Sequence, residues 1–220
     1  HENLSDNLIK ITNELQAHGD DTVVVSWLPQ YHDMGLIGSY LGVLFCGGSG
    51  YYMSPLTFLQ NTTLWIEAIS KFHGTHLQAP NFAFRLTARK FNASLYRNSS
   101  EDDNSKQSLD LSSVRHIINA AEPVTETSIN SFFDTFSKYG LKEDVMFPTY
   151  GLAEHTVFVC SGGKQRLTVS KDTLETYGIV KELDGSIADN DENISRLIGC
   201  GYPSKQNVDV KIINTETLEQ

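Results

Sequence analysis

The 220-residue chain has no apolar run long enough to cross a bilayer. Its longest, Met34 to Gly48, is broken by Ser39 and Tyr40 and falls short of the ~20 residues required. No signal peptide opens it. Cationic side chains are scarce, 17 Lys+Arg against 27 Asp+Glu for a net charge of −10. That excludes a nucleic-acid polymer as the main ligand, because phosphate backbones are gripped by clustered Lys and Arg. A local pocket for one nucleotide is compatible with it. Proline is limited to six residues and 40% of the chain is hydrophobic, which excludes disordered, collagenous and fibrous classes. Only Cys46, Cys160 and Cys200 are present, an odd number with no CxxC pair, so neither a disulfide framework nor a zinc site is expected. Few cysteines point to a reducing, cytoplasmic setting. His73 and His76 lack the HExxH frame of a metal-binding helix. Asn-x-Ser/Thr triplets at Asn3, Asn61, Asn92, Asn98 and Asn193 are what chance supplies in an Asn- and Ser-rich chain. The chain opens on His1 rather than methionine and stops at Gln220 just after an apolar strand pattern, so it is expected to be a piece of a longer protein.

What is there alternates. Leu4, Leu8, Ile11 and Leu15 lie at helical spacing within 4–17, and Thr22 to Trp27 reads as a buried β-branched strand. A helix over Met34 to Phe45, a short strand from Gly50 to Met53 and a helix carrying Leu64, Trp65 and Ile69 follow. Thr75 to Ala79 and Arg115 to Ala120 are strand patterns, Asn81 to Tyr96 and Glu126 to Tyr139 helical ones, and Val145 to Pro148 a last short strand. Residues 97–107 are a polar surface loop. The β-α-β-α order predicts an α/β fold, a mostly parallel sheet with helices on both faces. Residues 1–163 form that unit. Residues 164–196, rich in charge with scattered apolar anchors, read as an inserted segment, and 197–220, with strand patterns at Leu197-Ile198-Gly199 and Val208 to Ile213, as the start of a small β-rich subdomain.

In an open parallel sheet, ligands sit beyond the C-terminal ends of the strands. Three such ends carry unusual loops. Leu28 to Gly35 holds Tyr31, His32 and Asp33 beside a glycine, and reads either as a ligand loop or as a helix start capped by Asp33. Ala121-Glu122-Pro123-Val124 reads either as backbone exposed to a flat heterocycle or as an ordinary turn with Glu122 near a helix N-terminus. In Pro148 to Glu154, Tyr150 offers a ring to stack on a base and Glu154 a hard oxygen for Mg²⁺. The alternative is a core tyrosine before an acidic first turn.

The run from Ser26 through Pro29-Gln30-Tyr31-His32-Asp33-Met34-Gly35 to Gly38 closely resembles the signature of fatty acyl-AMP ligases, members of the adenylate-forming superfamily with acyl-CoA synthetases. The resemblance continues through Met53-Ser54-Pro55, Phe58-Leu59-Gln60, Trp65, Ala79 to Phe84, Leu109 to Ser112 and Ala121 to Val124. It ends in Tyr150-Gly151-Leu152-Ala153-Glu154, covering nearly the whole chain in family order. It implies ATP and Mg²⁺ as cofactors, a fatty acid as substrate, and an acyl carrier protein or polyketide synthase as acceptor. Tyr150, Gly151, Leu152 and Ala153, with Ala120, Ala121, Glu122 and Pro123, would surround the nucleotide. Glu154 would hold Mg²⁺. His32 would line the junction of carboxylate and α-phosphate, and Met34, Gly35, Gly38, Asn81 and Phe82 would border the acyl tunnel.

Residues 164–196 fall where these ligases carry an insertion associated with poor use of CoA. Two departures stand out. Ala120 takes the place of the family's usual glycine, and His155 follows Glu154 where a small residue is common. The phosphate loop, the ribose-holding motif, the hinge and the lysine-bearing lid match nothing in 1–220, so the isolated piece is expected not to turn over. A CoA-forming synthetase and a non-catalytic adenylation-like domain are the rival readings.

Overall fold

Short β-branched and apolar runs become strands here because each is bounded by glycine, proline or a polar turn. In the computed structural model, which describes residues 1–98, 100–101, 103–183 and 193–220, five of them form one parallel sheet in the order β2-β1-β3-β6-β7. They are β1 (Val23–Ser26), β2 (Ser49–Tyr52), β3 (His76–Pro80), β6 (His116–Ala120) and β7 (Met146–Pro148). The register pairs Val25 with Tyr51, Gln78 with Ile118 and Asn119 with Pro148.

Side chains alternate between the two faces of the sheet. Val25, Leu77, Ala79 and Ile117 point into the larger core, built with α3 (Pro55–Gln60), α4 (Thr63–Phe72), α5 (Asn81–Lys90) and α6 (Glu126–Phe136). Trp65, Phe58, Phe84, Phe132 and Phe136 are fully buried there. Trp27 stacks on Phe58 at 4.0 Å, and Trp65 Nε1 donates to the Val25 carbonyl at 3.1 Å, tying helix to strand. Ile118 and Ala120 belong to the opposite face, with Ile11 and Leu15 of α1 (Glu2–Glu14) and with Met34. Helices therefore cover both faces, as the alternation predicts.

The expected helix from Met34 to Phe45 forms in two parts. Met34–Leu41 makes wide π-helical turns, closed by Gly42 N–H donating to the Ile37 carbonyl, and α2 (Gly42–Cys46) continues it until Gly47. The helix expected over Asn81 to Tyr96 ends at Lys90, and Tyr96 enters β4 (Tyr96–Arg97), which pairs with β5 (Gln107–Ser108) across the polar loop.

The charged segment forms an antiparallel pair, β10 (Arg166–Ser170) with β11 (Ile194–Ile198), and α7 (Lys171–Tyr177) follows β10. Residues 184–192 of the expected insertion lie outside the described residues. Leu197 and Ile198 pair back onto Leu167 and Arg166 rather than opening a new unit, because a partner strand of matching register is already present. Val208 to Ile213, expected as a strand, takes up no regular secondary structure. Glu126, at the start of α6, lies 3.5 Å from Arg166 and 3.7 Å from Arg196, which joins this pair of strands to the main sheet's helices.

Two buried histidines sit side by side in the sheet. His76 and His116 stack at 5.6 Å, and His116 also stacks on Phe147 at 3.9 Å. His76 Nε2 hydrogen-bonds the Leu15 carbonyl at 2.8 Å, holding α1 against the sheet. Burial, then His76 and Arg115, push His116 down to about 4, and burial likewise lowers His76. Each group binds fewer protons folded than unfolded. The contribution of His116 is therefore complete above an unfolded value near 6.5 and is lost as pH falls from there towards 4, and that of His76 is lost in the same direction. Thermal melts should show stability dropping by about 2–3 kcal/mol over that window on account of His116. The replacement His116→Phe should flatten the drop. An equally steep loss in the variant would assign the acid sensitivity elsewhere.

Candidate functional site

A hollow of about 440 Å³ lies between the second face of the sheet and the helices that cover it, within the range of small-molecule sites. Its floor is Ile11 and Leu15 from α1, Met34 and Gly38 from the widened helix, Gln78 from β3, and Ile118 and Ala120 from β6. Its rim comes from three strand ends: Tyr31, His32 and Asp33 after β1, Ala121 after β6, and Thr149, Gly151, Leu152 and Ala153 after β7. The three loops singled out by sequence thus share one cavity. Eight of the expected site residues line it, namely His32, Met34, Gly38, Ala120, Ala121, Gly151, Leu152 and Ala153.

At the first rim, Asp33 caps the helix start, the second of the two readings that its sequence allowed. Its Oδ1 accepts the Met34 N–H at 2.7 Å, capping the helix, and lies 2.7 Å from His32 Nδ1. The Met34 N–H also lies 3.3 Å from His32 Nδ1, so the ring is held from its Nδ1 side and its Nε2 edge is left without a partner among the described residues. The imidazole itself is about half exposed. Gly35, expected at the acyl tunnel, packs instead against the loop's own backbone. A Cβ there would lie 2.2 Å from the Pro29 carbonyl oxygen.

The second rim is a bend held under strain. Ala121 has φ +68°, a left-handed conformation that costs a residue with a Cβ on the order of 1 kcal/mol. Three contacts hold it there. Glu122 Oε1 accepts the Phe82 N–H at the start of α5, Asn81 Oδ1 accepts the Thr125 N–H at 3.1 Å, and Asn119 Nδ2 donates to the same Asn81 oxygen at 3.3 Å. Phe82 packs edge-on against Trp27 at 6.3 Å. Asn81, Phe82 and Glu122 therefore brace the bend and do not line the hollow, and Pro123 likewise lies off its lining.

The third rim turns twice. β8 (Tyr150–Gly151) pairs with β9 (Phe158–Cys160) in an irregular register. Thr156 between them has φ 70° and ψ −65°, with Val157 N–H donating to the His155 carbonyl at 2.9 Å. That is a tight γ-turn, rare and strained for a β-branched residue. It projects Ala153–His155 as a short 3-10 turn with Glu154 exposed, while Tyr150 is 49% exposed and free to offer a ring face. Among the described residues no three His, Cys, Asp or Glu side chains cluster. A lone carboxylate such as Glu154 suits Mg²⁺, which keeps its waters and takes most of its remaining ligands from phosphates.

Sequence reasoning missed the floor. Ile11, Leu15, Gln78, Ile118, Val157 and Phe158 line the hollow without belonging to any of the three expected loops. One signal was available: Gln78 is a polar residue in the middle of an apolar strand.

Comparison with known proteins shows the family and the fold. The family model described as AMP-binding enzyme matches residues 1–220. The medium-chain-fatty-acid acyl-carrier-protein ligase JamA of Moorena producens is 34% identical over 224 residues, covering 100% of this chain and 35% of the relative. The ligase of the same description, TtuA of Teredinibacter turnerae, is 35% identical over 205 residues, covering 91% of this chain and 29% of the relative. The crystal structure of a fatty acyl-adenylate ligase from Legionella pneumophila, in complex with acyl adenylate and pyrophosphate, superposes with a TM-score of 0.82 at 33% identity. That match covers 99% of this chain and 36% of the other. The chain spans about a third of the length of the curated relatives that it matches.

The strained bend yields a direct test. Ala121→Gly removes the Cβ from a left-handed position and should raise the stability of the protein by about 1 kcal/mol, read as a higher denaturant midpoint. A lower midpoint would show that the methyl group contributes packing worth more than the strain.

Proposed function

The chain belongs to the AMP-binding enzymes, and from that premise we propose that the protein carrying it is a fatty acyl-AMP ligase. It condenses a fatty acid with ATP to an acyl-adenylate and pyrophosphate, for transfer to an acyl carrier protein. The observation that carries this reading is the meeting of His32, the Ala120-Ala121 bend and Gly151 to Ala153 around one hollow at the strands' C-terminal ends.

Tyr150 and Glu154 do not line the hollow themselves but flank Gly151, Leu152 and Ala153, which do. Tyr150 stacks on the adenine and the bend after β6 reads the base edge with its backbone groups. His32, held through Nδ1 beside Asp33, stands where the carboxylate approaches the α-phosphate, and Nε2, when it carries a hydrogen, donates to a phosphate or carboxyl oxygen. A carboxylate oxygen forms the new bond to the α-phosphorus while the bond from that phosphorus to the bridging oxygen breaks, and pyrophosphate leaves with the electron pair. Two anions must approach, so positioning and charge neutralisation dominate the barrier. Bound at Glu154, Mg²⁺ supplies the neutralising charge. Met34 and Gly38 border the acyl chain, over an apolar floor of Ile11, Leu15 and Ile118.

ATP–pyrophosphate exchange by the full-length gene product tests the proposal. A fatty acid should be required for exchange, and His32→Ala should lower kcat/KM by about a hundredfold. Glu154→Gln should instead raise the Mg²⁺ concentration giving half-maximal rate about tenfold. Undiminished exchange in the His32 variant would remove that residue from the mechanism. Release of free acyl-CoA on adding CoA would replace the carrier-protein acceptor with the synthetase reading.

A further inference from the structure

Beyond the hollow lies a second, much smaller cavity of about 10 Å³, room for one water-sized group. Its far walls are Thr22, Val24, Val43 and Cys46. The two cavities share Ile11, Leu15, Gly38 and Gln78, so these four residues stand at the partition between them. Three are apolar or lack a side chain. Gln78 is therefore the only polar side chain on the partition.

Gln78 is only 4% exposed, yet its carboxamide makes no hydrogen bond to any described residue. Its polar atoms keep some exposure to the open space of the cavities rather than serving a protein partner, so the fold gains no hydrogen bond from its polar end. Its geometric relation to the facing helix is specific. A Cβ on Gly38 would come within 2.5 Å of Gln78 Oε1, so the glycine is what gives the carboxamide its space. Strand alternation leaves no other direction for it, because its neighbours Leu77 and Ala79 occupy the aromatic core on the opposite face.

We propose that Gln78 is the specificity-determining residue for the acid: its side chain closes the far end of the hollow and limits the length of the acyl tail. This inference rests on the ligase reading, since only there does a tail run along Met34 and Gly38. Removing the side chain joins the main hollow to the space walled by Val24 and Val43. A longer aliphatic tail then enters, and each further methylene buried favours it by about fourfold in kcat/KM. A methyl group at Gly38 acts in the other direction, pushing the carboxamide across the channel.

The test is a chain-length profile of ATP–pyrophosphate exchange by the full-length gene product, hexanoate through hexadecanoate, each variant normalised to its own best acid. Gln78→Gly should move the optimum to acids longer by two or more methylenes, about tenfold or more in relative kcat/KM. The similar-sized Gln78→Met should keep the wild-type optimum, and Gly38→Ala should move it shorter. A Gln78→Gly profile that peaks where the wild type peaks, or a Gly38→Ala profile that lengthens, overturns the inference while leaving the ligase reading in place. Absence of exchange with every acid in the unmodified protein would overturn the ligase reading and this one with it.

Discussion

Period-two alternation along β3 and β6 is the constraint from which the rest of the molecule follows. Leu77, Ala79 and Ile117 are committed to an aromatic core of Trp65, Phe84 and Phe132, and that commitment fixes where Gln78, Ile118 and Ala120 must point. A slip of one residue would place a glutamine among fully buried rings and expose the core set to the hollow. The well-packed face thus sets the geometry of the open one. The aromatic core lies on one side of the sheet and the hollow on the other.

The open face remains open because of what covers it. α1 reaches it with Ile11 and Leu15 and is held by the bond from His76 to the Leu15 carbonyl, and the helix after β1 makes its first turns wide rather than tight. Widened turns of this kind recur at functional sites. The two strained non-glycine residues next to the hollow, Ala121 and Thr156, lie in the bends that bring its second and third rims together. Their strain is offset by rigid surroundings: Asn81 and Glu122 brace one bend, and the pairing of β8 with β9 the other.

Much of this was legible in the sequence, for physical reasons. Val23 to Ser26 and His116 to Ala120 are short β-branched or apolar runs with few alternatives to a buried strand, and all three rim loops follow such runs directly. What stayed hidden depended on partners distant in sequence. Leu197 and Ile198 carry a strand pattern, but only the register with Arg166 and Leu167 shows that they pair with β10. Val208 to Ile213 alternates well, yet none of the described residues pairs with it. The π-helical turns leave no trace in apolar spacing. Gly35 and Asn81 were legible as special but not in kind: one accommodates a carbonyl and the other fastens three elements, and neither faces the hollow.

The account stands on the hollow being where a nucleotide binds. Photolabelling of the full-length gene product with 8-azido-ATP, followed by tryptic mapping, asks this without requiring turnover. Cleavage after Arg115, Lys138, Lys142 and Lys164 isolates the two relevant rims as peptides 116–138 and 143–164. The account expects label in those two peptides, protected by excess ATP. Protectable label confined to other peptides would put the nucleotide elsewhere and contradict it.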